Sequence, residues 1–277
     1  MAKAATLNLL ICGAMRSGTT ALARCLDEHP EIAFLPGALA ADRPDLPAGT
    51  GEFPFASPCL ALAQAGDDGK VYRRMAARVP RAVRHVGERR AYFMFYPHIP
   101  LNLREHLPDA RLLFVLRDPV EAAYSAFWHG REFYPQPSFD AYLAEAVQGV
   151  REAAHWRKRH RWLERFSAGS TLPLLVERGF YLPQFLRFQR LFAARQMLWL
   201  HYDEWARKPE ATLRRVLAFL DLPADFCFSR VGEKVNPGPA RPPMSAAARA
   251  FLRELYAPSS RRLLQIMGWP PGLWQQP

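Results

Sequence analysis

Four short, mainly apolar runs punctuate the chain, and the run Leu112 to Leu116 is continuous rather than alternating. Residues 7–12, 31–35, 111–116 and 196–201 are rich in Leu, Ile, Val and Phe, the composition of strands buried on both faces. Between and after them, apolar positions recur with helical spacing over 19–29, 120–131, 138–165, 181–193, 208–220 and 245–256. Residues 66–90 read as a basic helix and linker, and residues 36–58 as a loop-like insertion rich in Gly, Ala, Pro and Asp. Strands that alternate with helices predict an α/β fold, a parallel sheet flanked by helices on both faces. The chain of 277 residues can bury a substantial core, and the reading is a single domain over 1–277.

The first strand empties into Gly13-Ala14-Met15-Arg16-Ser17-Gly18-Thr19-Thr20, and a helical pattern starts at once. Strand, loop and helix in this order build a phosphate cradle, because the first N–H groups of the helix point at the loop. Gly13 and Gly18 let the backbone turn and approach an anion. Arg16 adds a fixed charge, while Ser17, Thr19 and Thr20 add hydroxyl donors. The G-x-x-x-x-G spacing is that of an NTPase P-loop, yet Thr19 stands where that motif needs lysine. Arg16 is the available cation instead, and a phosphorylated nucleotide is the expected ligand.

A second anion site is predicted where the strand Arg111–Leu116 ends in Arg117-Asp118-Pro119. Pro119 suits a first helical turn, and Arg117 falls at the carboxyl end of a strand, where open α/β sheets bind ligands. Ser125 lies about two turns along the helix, so one anion could take a charged bond and a hydroxyl bond together.

Together these motifs resemble the sulfotransferases that use 3′-phosphoadenosine-5′-phosphosulfate (PAPS). Gly13 to Thr20 followed by His29-Pro30 is similar to their 5′-phosphosulfate loop, and Leu116-Arg117-Asp118-Pro119 with Tyr124-Ser125 to their 3′-phosphate motif. Gly87-Glu88-Arg89-Arg90-Ala91-Tyr92-Phe93 resembles the Glu-Lys-Thr-Pro-x-Tyr-Phe segment of the heparan-sulfate-type branch. Arg16, in place of the common lysine, is the choice of the tyrosylprotein branch. Arg178-Gly179-Phe180-Tyr181, Phe219 to Pro223 and Pro243-Met244-Ser245 recur in the same order, so the likeness runs from about residue 8 to residue 268. A bacterial member of the family is the reading.

The resemblance implies roles. Arg16, Ser17, Gly18, Thr19 and Thr20 would hold the 5′ end of PAPS, and Arg117 and Ser125 its 3′-phosphate. Tyr181 would stack on adenine if it does not simply pack its helix. In the late Pro/Gly loop, Lys234 and Arg241 would close over the nucleotide. Arg16 and Arg89 would act on the reacting group as charges only, since arginine does not give up its proton. The catalytic base is expected as a Glu soon after the second strand; none follows Leu35-Pro36 closely, and Glu52 is the first candidate. Glu88, His85 and His98 are alternatives. No metal is implied.

Composition fits this reading. A net charge of +11 favours an anionic partner, and PAPS supplies one without nucleic acid. A basic region from Arg151 to Arg165, containing Arg157-Lys158-Arg159-His160-Arg161, suits the rim of a site for an acidic acceptor such as a glycan, and residues 36–58 a lid over it; a peptide tyrosine or small molecule is also open. Cys12, Cys25, Cys59 and Cys227 have no metal-like spacing and predict free thiols in a reducing cytoplasm. No signal-peptide pattern or membrane-spanning run is seen. Oligomeric state is left open. Two other readings stand: a nucleotide-binding module without catalysis, and a P-loop kinase, which would prefer Mg-ATP to PAPS.

Overall fold

The computed structural model describes residues 7–35, 82–131, 136–152, 175–233, 235 and 240–274. The chain falls into two compact units, Met1–Arg117 with Gln184–Asn236 and Asp118–Pro183 with Pro237–Pro277.

The first unit holds a five-stranded, wholly parallel sheet. Its strands are β1 (Leu7–Gly13), β2 (Ile32–Phe34), β3 (His85–Arg89), β4 (Arg111–Leu116) and β5 (Met197–His201), in spatial order β2-β3-β1-β4-β5. β1 lies at the centre because it is apolar on both faces. On one face Leu9, Ile11, Leu113 and Val115 pack with Leu22 and Leu26 of α1 (Thr19–Leu26), and with residues 213–217 of a later helix. Alternate residues serve the other face: Phe114 stacks on Trp199 with ring centroids 3.9 Å apart and meets Phe188 edge-on at 4.9 Å. Helices therefore cover both faces, as the alternating pattern predicts.

β3 corrects the sequence reading, which placed residues 66–90 in a basic helix and linker. Of its five residues only Val86 is aliphatic, and Glu88 is 1% exposed. A buried carboxylate hides the strand from any hydrophobicity count. Arg90 makes the burial possible by donating from Nε to Glu88 Oε1 at 2.8 Å. Breaking such a buried pair leaves an uncompensated charge, a loss of about 3–5 kcal/mol. The sequence pattern also missed α2 (Ile99–His106), whose first turn carries Pro100.

In the second unit, α3 (Pro119–His129), α4 (Phe139–Glu152) and α5 (Leu175–Arg178) surround a core of Phe127, Phe139, Tyr142, Val176 and Tyr256. α6 (Tyr181–Gln189) runs from this unit into the first. Two helices then follow β5: α7 (Tyr202–Arg207) and α8 (Pro209–Phe219), the source of the 213–217 packing. The last, α9 (Ala246–Met267), passes through Pro258 rather than stopping near residue 256. Pro258 and Glu254 are both exposed, so water can take the carbonyl that the proline cannot serve. α9 stops at Gly268 with φ 65, a left-handed cap.

Burial of histidine sets the acid response of the first unit. His85 donates from Nε2 to the Leu220 carbonyl at 2.8 Å, while its buried Nδ1 has no partner among the described residues. Burial lowers the pKa of His85, and likewise those of His29, His98 and His201. The unfolded chain then binds protons first as pH falls, so stability is full above about pH 6.5 and declines below it, towards the depressed folded values. We expect the melting temperature to fall between pH 7.5 and 5, with a shallower fall in His85→Gln. An unchanged slope in that variant would show that His85 contributes nothing.

Candidate active site

Parallel strands bring their carboxyl ends to one edge, and the phosphate-loop candidates gather there. The backbone leaves β1 at Gly13, where an added Cβ would sit 2.8 Å from Met94 Cβ; no larger residue fits. Ala14 N donates to the Val115 carbonyl at 2.7 Å and ties the loop to the end of β4. Arg16 comes next with φ 60, a left-handed conformation that costs a non-glycine residue about 1–2 kcal/mol. Ser17 is fully buried and Thr19 nearly so, while Arg16 and Thr20 are half-buried. Gly18, φ 73, is the N-cap of α1.

The two helix starts differ in a way that marks α1. Its N-cap is Gly18, which has no side chain to cap with, and no acid lies in its first turn. α3, in the second unit, fills its own: Asp118 Oδ1 accepts from Val120 N at 2.8 Å, and Glu121 sits in the first turn. Among the described residues the first N–H groups of α1 are thus open to an outside anion, with the positive end of the helix dipole behind them.

Arg117 ends β4 beside this loop. Its Nη1 donates to the Arg16 carbonyl at 3.1 Å, and its guanidinium lies over the Tyr202 ring at 4.7 Å. Such a contact is worth about 0.5–1 kcal/mol and, more usefully, fixes the plane of the fork. Tyr202 and Trp205 of α7 also pack under Gly18: a Cβ there would lie 2.9 Å from Trp205 Nε1 and 3.3 Å from Tyr202 Cε2. Sequence reasoning missed both aromatics. The signal was Tyr202-Asp203-Glu204-Trp205 directly after a strand.

The remaining candidates occupy several elements. Arg89 closes β3, half-buried, in register with Ile11 of β1. Ser125, in the second unit, is buried on α3. Tyr181 is buried in the same unit, its ring edge-on to Trp274 with centroids 5.8 Å apart. Arg241 stands over the Tyr124 ring at 4.9 Å and 3.9 Å from Glu121. Glu52, Lys234, residues 36–58 and Arg157 to Arg161 lie outside the described residues. Of the alternative bases, Glu88 is sealed by Arg90, and His85 opens β3 at the opposite end from the loop. His98, its pKa lowered by burial, precedes α2. Among the described residues no group of His, Cys, Asp or Glu could hold a metal ion.

A parallel sheet whose central strand feeds a helix through a glycine-bounded, arginine-bearing loop defines an α/β protein with a candidate anion site at the carboxyl ends of its strands. The comparisons narrow the class. The model of the sulfotransferase family matches residues 8–226, and the chain belongs to that family. It is 25% identical to mouse carbohydrate sulfotransferase 15 over 183 residues, 61% of this chain and 32% of that protein. It is 23% identical to the bifunctional heparan sulfate N-deacetylase/N-sulfotransferase 1 of Caenorhabditis elegans over 221 residues, 80% of this chain and 22% of that one. The chain thus matches about a third or less of the length of these curated relatives. The crystal structure of a sulfotransferase from Alicyclobacillus acidocaldarius superposes with a TM-score of 0.72 at 26% identity, covering 100% of both chains.

Gly18 is the position where the loop has least freedom. Gly18→Ala should destabilise the fold by about 1–2 kcal/mol through its left-handed backbone, and by more through the Trp205 clash. Chemical denaturation measures this: a loss of only about 1–2 kcal/mol would mean that Trp205 yields freely, and one under about 0.5 kcal/mol that the left-handed backbone costs nothing there either.

Proposed function

We propose that the protein is a PAPS-dependent sulfotransferase that moves a sulfuryl group to a hydroxyl or amine of an acceptor. One observation carries the reading. Arg117 is fixed against the carbonyl of Arg16, at an uncapped helix start, in a chain that matches the sulfotransferase family.

The chemistry needs little more than position and charge. Sulfuryl transfer leaves negative charge on the departing phosphate, by analogy with phosphoryl transfer, and fixed donors stabilise it best. Arg16, Thr19 and the first amides of α1 supply those donors, with Arg89 a further charge. Arg117 takes the 3′-phosphate; the sequence motif adds Ser125, and the late loop adds Lys234 and Arg241. Remote binding energy from that phosphate orients the 5′ group and separates PAPS from ATP. Glu52 is assigned as the general base, worth about 10²–10⁴-fold in rate. The burial of Glu88 against Arg90 supports this choice over Glu88. Tyr181 is assigned to adenine on the resemblance alone.

A glycan is the acceptor class we favour, on the names of the carbohydrate and heparan sulfate relatives and a net charge of +11. Residues 36–58 are assigned as its lid, the whole chain acting as one sulfotransferase domain. Free Cys12, Cys25 and Cys227 support a reducing, cytoplasmic setting. Burial raises the Cys12 and Cys25 thiols, the latter to about 11, so both stay protonated. Among the described residues no helix is long and apolar enough to cross a membrane.

Calorimetric titration with 3′-phosphoadenosine-5′-phosphate and with ATP tests the reading. Tight binding of the first and weak binding of ATP is expected; the reverse preference would replace it with a P-loop kinase. Arg117→Ala should raise the PAPS KM about tenfold or more and leave weak ATP binding unchanged. Equal losses for both nucleotides would remove Arg117 from the 3′-phosphate. Glu52→Gln should retain nucleotide affinity and lose about 10²-fold or more in turnover. Near-normal turnover would move the base to His98 or elsewhere.

A further inference from the structure

Arg187 is a half-buried cation on α6 with no carboxylate partner among the described residues. Its Nη2 donates instead to two successive main-chain carbonyls, Phe95 at 2.8 Å and Met94 at 3.4 Å. Its Nε is buried without a hydrogen-bond partner among the described residues. Burial lowers its pKa to about 10, so the charge persists at neutral pH. An arginine placed at this expense for two neutral acceptors calls for a reason, since a methionine would fill the same space without desolvating a charge.

The reason lies in what those carbonyls belong to. Residues 91–95 form a turn directly after β3. Within it, Phe93 N donates to the Arg90 carbonyl at 3.0 Å and Phe95 N to the Tyr92 carbonyl at 3.0 Å. The turn ends in carbonyls that a cation can cap, as at a helix C-terminus. On its other side the turn is sewn to β1: Arg90 N donates to the Ile11 carbonyl at 2.9 Å, and Met94 N to the Cys12 carbonyl at 2.8 Å. Met94 therefore links β1 through its N–H and Arg187 through its carbonyl. Its Cβ stands 2.8 Å from where a Gly13 Cβ would be, and Gly13 opens the phosphate loop. The residue before the turn, Arg90, fixes Glu88, and Arg89 lies between them.

We propose that Arg187 is a positioning residue for the phosphate loop, holding the 91–95 turn against Cys12 and Gly13 and so setting the path of Gly13 to Thr19. The proposal rests on the sulfotransferase reading only for what the loop holds. A misplacement of about 1 Å at such a loop can cost about 10²-fold in rate.

Hydrogen–deuterium exchange of the nucleotide-free protein decides the matter independently of ligand. In Arg187→Met, exchange should quicken about tenfold at Met94 and at Ala14, whose amides are held by the Cys12 and Val115 carbonyls, and stay near wild type at Phe188 and Leu200. Arg187→Lys should restore part of the protection, since it keeps the charge but reaches one carbonyl rather than two. It also serves if Arg187→Met does not fold. Unchanged exchange at Ala14 and Met94, or an equal rise throughout the sheet, would overturn the proposal. Nucleotide binding supplies a second readout: Arg187→Met should weaken 3′-phosphoadenosine-5′-phosphate about tenfold and leave adenosine 3′-monophosphate unchanged. Equal weakening of both would show a general structural role. If the wild-type protein binds neither, the sulfotransferase reading fails, and the exchange pattern still judges Arg187.

Discussion

A strand buried on both faces has to surrender its last backbone groups somewhere, and β1 does so where a ligand can reach. Inside the sheet β1 is flanked by β3 and β4, which serve its N–H and carbonyl groups. Past Gly13 that ladder ends, and the chain needs other partners before α1 begins. Val115 takes one amide, the turn after β3 takes the carbonyls of Ile11 and Cys12, and the first amides of α1 remain. The proposed anion site is what is left when the central strand of a parallel sheet runs out of neighbours.

Around that edge, charge is handled in two ways. The buried acid is answered inside the protein, Glu88 by Arg90. The cations at the loop are instead braced by neutral groups, with Arg117 held between a carbonyl and the Tyr202 ring and Arg187 on two carbonyls. Bracing by neutral groups fixes a guanidinium without cancelling its field, which suits a site that must attract phosphate.

The frame was legible in the chain because burial on two faces leaves an uninterrupted apolar run. Leu9 to Cys12 and Leu112 to Leu116 announce their strands, and the glycine, hydroxyl and arginine residues between Gly13 and Thr20 announce an anion-binding loop. β3 was illegible for the converse reason: its register residue Glu88 is buried by a partner two positions away, which no periodicity rule anticipates. Tyr202 and Trp205 were illegible as neighbours of Gly18, since nothing local ties residue 18 to residue 205. Arg117 could be placed at a strand end, but its plane is set by Tyr202, a long-range contact. The last helix was read short, over 245–256, because the apolar spacing does not show that it runs on through Pro258 to Met267.

Arg16 carries a consequence for how this protein would change under selection. Its left-handed backbone is one that glycine would adopt without strain, so the fold alone would prefer Gly at that position. The charge proposed to serve the loop thus sits on a residue whose backbone conformation favours glycine. Variants chosen for heat resistance alone would drift towards losing it, whereas variants chosen for turnover would keep it. Thermostability and function pull in opposite directions at a single residue.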